Sequence, residues 1–280
     1  MFRSISAELL LLRMRASTWI LLGIWVAMVA FFAYILPYLT DSTETGTPER
    51  FRDPIADLLP GNLVGNILVG FPFFGGVLVL ILGVMTLGSD YGWGTLKTLL
   101  TQRPGRLQVF AAKIAAVGVV LATFVVVSFA TGALASVLVA AREDAPIDWP
   151  GMSLVLRGLA AAWLILAVWT ALGVALAVLS RGTSLAIGIG ILYGLVIEGL
   201  VSAVFDQVSL LRPLIDGLLR ANAYSLVATL GASAESARDN GPGGFSGPYV
   251  GGAQAVIVLL CYLAGFVGLA AIVLRRRDVS

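Results

Sequence analysis

Apolar residues fall along this chain in six long runs separated by shorter polar intervals. A helix needs about 20 residues to cross a hydrocarbon core of about 30 Å. The runs at residues 19–39, 63–87, 109–139, 155–179, 184–205 and 252–274 all reach that length, and they predict six membrane-crossing helices. The third is long enough to tilt or protrude. Runs four and five are separated only by Ser180-Arg181-Gly182-Thr183, which forces a tight helical hairpin. An even number of crossings puts both ends of the chain on one face. The expected fold is an all-α integral membrane protein, a single transmembrane domain over residues 1–280.

Ahead of the first run, Phe2, Ile5, Leu9, Leu12 and Ala16 recur at alternating three- and four-residue spacings, which predicts an amphipathic helix over residues 2–16. Arg3, Arg13 and Arg15 lie on or beside its polar side, an arrangement suited to the plane of an anionic leaflet. The alternative is a plain extension of the first crossing helix. The interval 40–62 is acidic, carries Pro48, Pro54, Pro60 and Gly61, and reads as a loop with one helical turn near 56–59. The interval 206–250 divides in two. Leu210, Leu211, Leu214, Ile215, Leu218 and Leu219, broken by Arg212, Asp216 and Arg220, predict an amphipathic helix on or dipping into the outer leaflet. Past Gly231 the chain turns Ser-, Gly- and Pro-rich through GPGGFSGP, a surface loop.

Composition agrees with the pattern: 59% hydrophobic residues, 12% charged and a mean hydropathy of +0.96 are far from a soluble domain. The single cysteine, Cys261, lies in an apolar run, so no disulfide framework is expected. The chain has no histidine. That excludes Ser-His-Asp and Cys-His catalysis and His-ligated zinc. No Gly-x-x-x-x-Gly-Lys-[Ser/Thr], His-Glu-x-x-His, paired-Cys site or Gly-x-Ser-x-Gly elbow is present. No catalytic residue, metal site, bound cofactor or nucleic-acid partner is expected. The first run is long and lacks a small-residue cleavage site, so no cleavable signal peptide is expected either.

Charge orients the crossings. The N-terminal segment, the interval after run two with Lys113, Arg181 and the Arg275-Arg276-Arg277 tail hold eleven Lys+Arg against Glu8, Asp90 and Asp278. The opposite intervals, with Arg157, hold seven against twelve acidic residues, and Glu198 remains inside a run. Net +8 against −5 puts both termini in the cytosol by the positive-inside rule.

One cytosolic interval has a pattern of its own. In DYGWGTLKTLLTQRPGRLQVFAAK, residues 90–113, Asp90 and Gly92 can start a short helix and Pro104-Gly105 can end it. Such a helix is about 12 Å long, with Trp93, Leu96, Leu99 and Leu100 able to fill a groove on a partner and Lys97, Arg103 and Arg106 around them. An ordinary loop, basic only for topology, has the same composition. Within the runs, Pro72 with Gly75-Gly76 should bend the second helix. Gly190-x-x-x-Gly194 makes a smooth face for close helix approach, inside the subunit or across a dimer. Glu198 is expensive at its depth unless paired or facing water, with Tyr193, Ser202 or an outer-loop Arg as candidate partners.

Gly94-Thr95-Leu96-Lys97, Leu99-Leu100, Arg103-Pro104-Gly105-Arg106 and Lys113 resemble the first cytoplasmic loop of type-2 ABC transporter permeases. Asp90 stands where Glu is more usual, and Pro-Gly-Arg replaces the commoner Pro-Val-Ser-Arg. The resemblance implies a coupling helix of Asp90, Trp93, Gly94, Thr95, Leu96, Lys97, Leu99, Leu100, Arg103 and Arg106 that docks on a cytosolic ABC ATPase, with Arg181 as a secondary contact. It further implies an interfacial elbow helix before the first crossing, short outer helices between the fifth and sixth, and two permease copies, or one with a paralogue, in the plasma (inner) membrane. ATP and Mg would be bound by the partner ATPase. Export is the expected direction. The family's pathway is bordered by the second and fifth crossings, which would bring Phe71, Pro72, Phe73, Phe74, Tyr193 and Glu198 near substrate. Two other classes stay open on sequence alone: a membrane anchor or signalling partner using the same loop, and a lipid-modifying membrane enzyme. The sparse intramembrane charge argues against the enzyme.

Overall fold

The computed structural model describes residues 2–41, 54–92, 105–201, 212–232 and 250–276. Every regular element among them is helical. Helix α1 (Phe2–Met14) stops at Arg15, whose extended backbone turns the chain into α2 (Ala16–Ala30). A π-helical turn, Phe31–Ile35, carries α2 into α3 (Leu36–Asp41). There follow α4 (Pro54–Leu58), a 3-10 turn (Pro60–Asn62), α5 (Leu63–Leu68), a second π-helical turn (Phe71–Gly75) and α6 (Gly76–Gly92). Helices α7 (Arg106–Arg142) and α8 (Met152–Ser180) are long, and α9 (Ser184–Leu192) runs through a third π-helical turn, Tyr193–Ile197, to residue 201. The last elements are α10 (Arg212–Ile215), α11 (Leu219–Ala228) and α12 (Gly252–Arg276).

Among the described residues five helical stretches are long and apolar enough to cross a membrane: Ala16–Thr40, Phe71–Ser89, Leu107–Arg142, Met152–Ser180 and Gly252–Arg276. The run at 184–205 is helical as far as residue 201, and its remainder lies outside the described residues. The second stretch begins later than its hydropathy suggests. The chain turns at Val69-Gly70, because Pro72 has no N–H for the carbonyl four residues back and its ring crowds that carbonyl. Residues 63–68 therefore form a separate buried segment, with Leu63, Val64, Ile67 and Leu68 all in the core.

Helix α8 is the axis of the bundle, buried along most of its length. It meets α6 at backbone contact: Gly83 lies on the Thr170 carbonyl, and Gly173 lies on the Leu80 carbonyl. A Cβ at either glycine would collide with main chain. The Thr170 hydroxyl donates to the Val79 carbonyl across the same seam at 3.3 Å. On α9, Gly190 packs on Leu80 and Gly194 on Trp169, so the Gly-x-x-x-Gly face is used inside the chain.

The polar intervals sort to the two ends of this bundle. At one end the Tyr38 hydroxyl donates to Glu143 at 2.7 Å, Gly61 lies beside the Asp148 carbonyl, and the Tyr262 hydroxyl donates to the Gly217 carbonyl at 2.8 Å. Gly61, Glu143, Asp148 and Gly217 come from the three intervals with the acidic bias, and Tyr38 and Tyr262 from the adjoining apolar runs. At the other end the α1–α2 joint, the end of α6, the start of α7 and the 180–183 turn meet. Two elements of the acidic intervals differ from expectation. The helical turn expected near 56–59 is Pro54–Leu58. The amphipathic helix expected on or dipping into the leaflet before residue 220 is described only from Arg212: α10 runs to Ile215, the chain turns at Asp216-Gly217, and α11 follows with Leu219–Val227 all buried.

Candidate functional site

At the end with basic bias, Trp93, Gly94, Thr95, Leu96, Lys97, Leu99, Leu100 and Arg103 lie outside the described residues. Asp90 falls in the last turn of α6, and Arg106 opens α7. The two helices from which that segment hangs are described, and both are tied to the N-terminal segment. Arg15 Nη1 donates to the Met85 carbonyl at 3.1 Å, near the end of α6. Lys113 Nζ, in the second turn of α7, donates to Glu8 Oε2 of α1 at 2.9 Å, with side chains only 3% and 12% exposed. Counting Lys113 among loop charges missed this pair. Glu8, the sole carboxylate ahead of Asp41, was the signal that could have found it.

Arg181 also reaches this end. It is exposed and caps α8 in the left-handed region, φ 55°, ψ 30°. Two residues on, Thr183 packs against Gly88 of α6. The Arg181 turn thus lies against the α6 root of the 93–104 segment. On α1, Leu12 is buried against the bundle, while Leu10, Leu11 and Met14 face away and are 56%, 49% and 75% exposed.

The opposite end is organised by two buried charges. Glu198 Oε1 accepts the Leu219 N–H at 2.7 Å and the Tyr193 hydroxyl at 2.8 Å, and Oε2 accepts the Arg220 N–H at 2.9 Å. Helix α11 has no side-chain cap from its own N-cap residue. The carboxylate from the fifth run fills that role, satisfying two of the N–H groups that a helix start leaves without partners. Arg220 Nη1 donates to the Gly194 carbonyl at 3.0 Å, and its guanidinium lies 5.6 Å from the Phe73 ring centroid. One arginine therefore touches both the Tyr193–Ile197 turn and the Phe71–Gly75 turn. Glu198 and Arg220 are 1% and 2% exposed, a burial that is tolerable only with this degree of pairing.

The six residues expected along a pathway divide. Phe73, Tyr193 and Glu198 meet around Arg220. Pro72 is buried at the break that it causes. Phe71 turns to the core, edge-on to Trp25 at 5.0 Å, and Phe74 stacks on Phe32 of the first stretch at 5.2 Å and 17°. Of the partners expected for Glu198, Tyr193 donates its hydroxyl and Arg220 its backbone N–H, and Ser202 lies outside the described residues. Arg220 was read as the polar face of a surface helix. Its backbone N–H is held by a carboxylate 22 residues away in sequence, and its guanidinium by the Gly194 carbonyl and the Phe73 ring.

A family model described as ABC-2 family transporter protein matches residues 4–197. The chain belongs to this family. Comparison with curated proteins returns no match. ABC-2 membership together with five apolar crossing stretches makes the chain a multi-pass membrane permease, and it implies association with ABC ATPase subunits. The matched region runs from α1 through the 93–104 segment to the Tyr193–Ile197 turn; Glu198 and Arg220 lie just beyond it. Among the described residues no group of three or more His, Cys, Asp or Glu is placed to hold a metal ion.

Proposed function

We propose that this chain is the membrane-spanning subunit of an ATP-driven exporter, moving substrate with energy from ATP hydrolysed by separate cytosolic ABC ATPase subunits. The observation that carries the reading is the convergence at one end of the bundle. Both roots of the 93–104 segment, the α1–α2 joint through Arg15 and Glu8, and the Arg181 turn through Thr183 lie together there.

In this reading the chain crosses the plasma (inner) membrane six times with both termini in the cytosol, and it works as a pair with a second copy or a paralogue. Helix α1 rests in the lipid interface on its exposed Leu10, Leu11 and Met14. ATP and Mg sit in the ATPase, and residues 93–101 form the coupling helix. Closure of the ATPase pair presses on that helix and hence on α6. Helix α6 cannot bend freely, because Gly83 and Gly173 hold it at backbone contact with α8. A 17-residue helix transmits the push over about 25 Å to the Phe71–Gly75 turn, where Arg220 meets Phe73. ATP shifts inward-open against outward-open states only through such differential contacts, about 1.4 kcal/mol for each tenfold shift.

The test is affinity purification of the chain from its native membrane in mild detergent, beside a Leu96→Asp/Leu99→Asp variant, with mass spectrometry and an ATPase assay. The parent brings down an ATPase; the variant inserts normally and loses it. A parent chain that captures no ATPase, even after crosslinking, overturns the reading.

A further inference from the structure

Helices α1 and α2 lie in succession along α7. Glu8 meets Lys113 at 2.9 Å, and the Trp25 indole N–H donates to the Ser128 hydroxyl at 2.7 Å. Between these two ties the chain bends at Arg15, and a groove of about 340 Å³ opens between the joint and α7. Leu22, Val119, Val120 and Phe124 make its length apolar, and Arg13 borders it on α1. Its depth follows from the aromatic residues of the first stretch. Trp19 and Tyr38 stand about 28 Å apart at helical rise, close to the hydrocarbon thickness of about 30 Å, and Trp and Tyr favour the two interfaces. Trp19 lines the groove, and its indole N–H donates to the Arg13 carbonyl at 2.7 Å. The groove thus straddles the interface at the end with basic bias. Leu22 and Phe124 lie on the hydrocarbon side of Trp19, and Arg13 lies on the headgroup side.

Two polar groups of the lining lack partners. Arg13 is exposed and makes no ion pair among the described residues, and the one carboxylate of α1, Glu8, is engaged by Lys113. Thr18 also lines the groove; it is 7% exposed, and its hydroxyl has no hydrogen-bond partner among the described residues. Buried polar groups are nearly always bonded, so an unmet hydroxyl points to a missing acceptor. A guanidinium at headgroup level matches a phosphate in charge and geometry, lipid esters supply acceptors one step deeper, and an acyl chain suits the apolar length. No acidic residue lines the groove, so nothing there receives the ammonium of a zwitterionic headgroup. The basic bias of this end adds attraction for net negative charge.

We propose that this groove holds an anionic phospholipid, with its phosphate at Arg13 and one acyl chain along Leu22 and Phe124. The proposal goes beyond the permease reading and rests on it only for placing the groove in the cytosolic leaflet; the binding itself needs no ATPase.

The full-length chain in mild detergent is titrated with dioleoylphosphatidylglycerol and, separately, with dioleoylphosphatidylcholine, and bound lipid is counted by native mass spectrometry. The first phosphatidylglycerol should bind at least about fivefold more tightly than phosphatidylcholine, and Arg13→Gln should bring the two within about twofold. Arg157→Gln, which removes an exposed arginine at the other end, should leave the preference unchanged. Val119→Trp, at an exposed position of the wall, blocks the apolar length and should weaken both lipids about fivefold. Glycerol phosphate, a headgroup without chains, should not displace the lipid. Equal affinities in the parent, a preference retained in Arg13→Gln, an equal loss in Arg157→Gln, or displacement by glycerol phosphate overturns the proposal. So does parental affinity in Val119→Trp, which decides alone if Arg13→Gln fails to fold. Failure here with an ATPase still captured leaves the permease reading standing, and loss of the ATPase with the lipid preference intact leaves the groove standing.

Discussion

The Glu198 carboxylate receives the Leu219 backbone N–H at 2.7 Å, so helix α11 begins on a side chain that belongs to another helix. Two features that look unfavourable alone become compatible. A carboxylate within an apolar run finds fixed donors, and a buried helix start finds an acceptor. Arg220 then returns the contact by donating to the Gly194 carbonyl at 3.0 Å, one turn before Glu198. The pairing links α9, α11 and the second stretch into one assembly at that end of the bundle.

Glu198→Gln should therefore destabilise the protein more than Tyr193→Phe does. The glutamine keeps the shape, but its amide cannot accept both the Leu219 and the Arg220 N–H, and one buried donor is left unmet. The loss should be about 3 kcal/mol. Tyr193→Phe removes one donor while Oε1 keeps the Leu219 N–H, so a loss of about 1.5 kcal/mol is expected. Thermal melts of the purified chains, followed by the monodisperse fraction, give the order. The reverse order would rule out the cap as the main role of Glu198.

Glu8 and Lys113 should behave as a unit. Glu8→Gln removes the carboxylate to which the buried Lys113 ammonium donates, a loss of about 2 kcal/mol. Lys113→Met with Glu8→Leu removes both charges and should stay within about 1 kcal/mol of the parent, because buried pairs give little net stability over apolar packing. A double-mutant cycle of melting curves measures the coupling. Additive single effects would mean that the pair does not hold α1 to α7.

Hydropathy makes the crossing stretches legible because bilayer thickness fixes a length, and charge bias groups the intervals that the structure brings together at each end. The break at Pro72 was legible for a similar reason, since a missing N–H is a local property. Its consequence was not. Residues 63–68 are apolar enough to extend the second crossing, and only their packing into the core shows that they form a separate segment. Arg220 and α11 are not legible in the sequence because amphipathicity cannot distinguish a charge facing water from one facing a buried carbonyl and aromatic ring. That distinction is tertiary, and it depends on Glu198 being oriented toward the start of α11.

The α6–α8 seam should be intolerant of the smallest side chain. Gly173→Ala places a methyl on the Leu80 carbonyl, and because that neighbour is main chain the helices must separate. The expected loss is about 1–3 kcal/mol, with reduced membrane yield. Gly188→Ala is the control, since nothing lies within 4 Å of its Cβ position. Helix propensity alone should make that variant equal to or up to about 1 kcal/mol more stable than the parent. Similar losses at both positions would point to a general need for glycine flexibility rather than to close approach at this seam.

Arg181 separates folding from docking. Its backbone sits at φ 55°, a region that glycine enters without a Cβ penalty. Arg181→Gly should raise stability by about 0.5–1 kcal/mol, although it deletes a charge. Arg181→Glu keeps the strained backbone and reverses the charge, so its melting temperature should match the parent while ATPase capture falls. The two readouts move independently only if the turn conformation serves the fold and the guanidinium serves the partner. An Arg181→Gly chain that is more stable and still captures the ATPase as the parent does would leave Arg181 as a turn residue alone. The docking surface would then rest on residues 93–101 and their roots on α6 and α7.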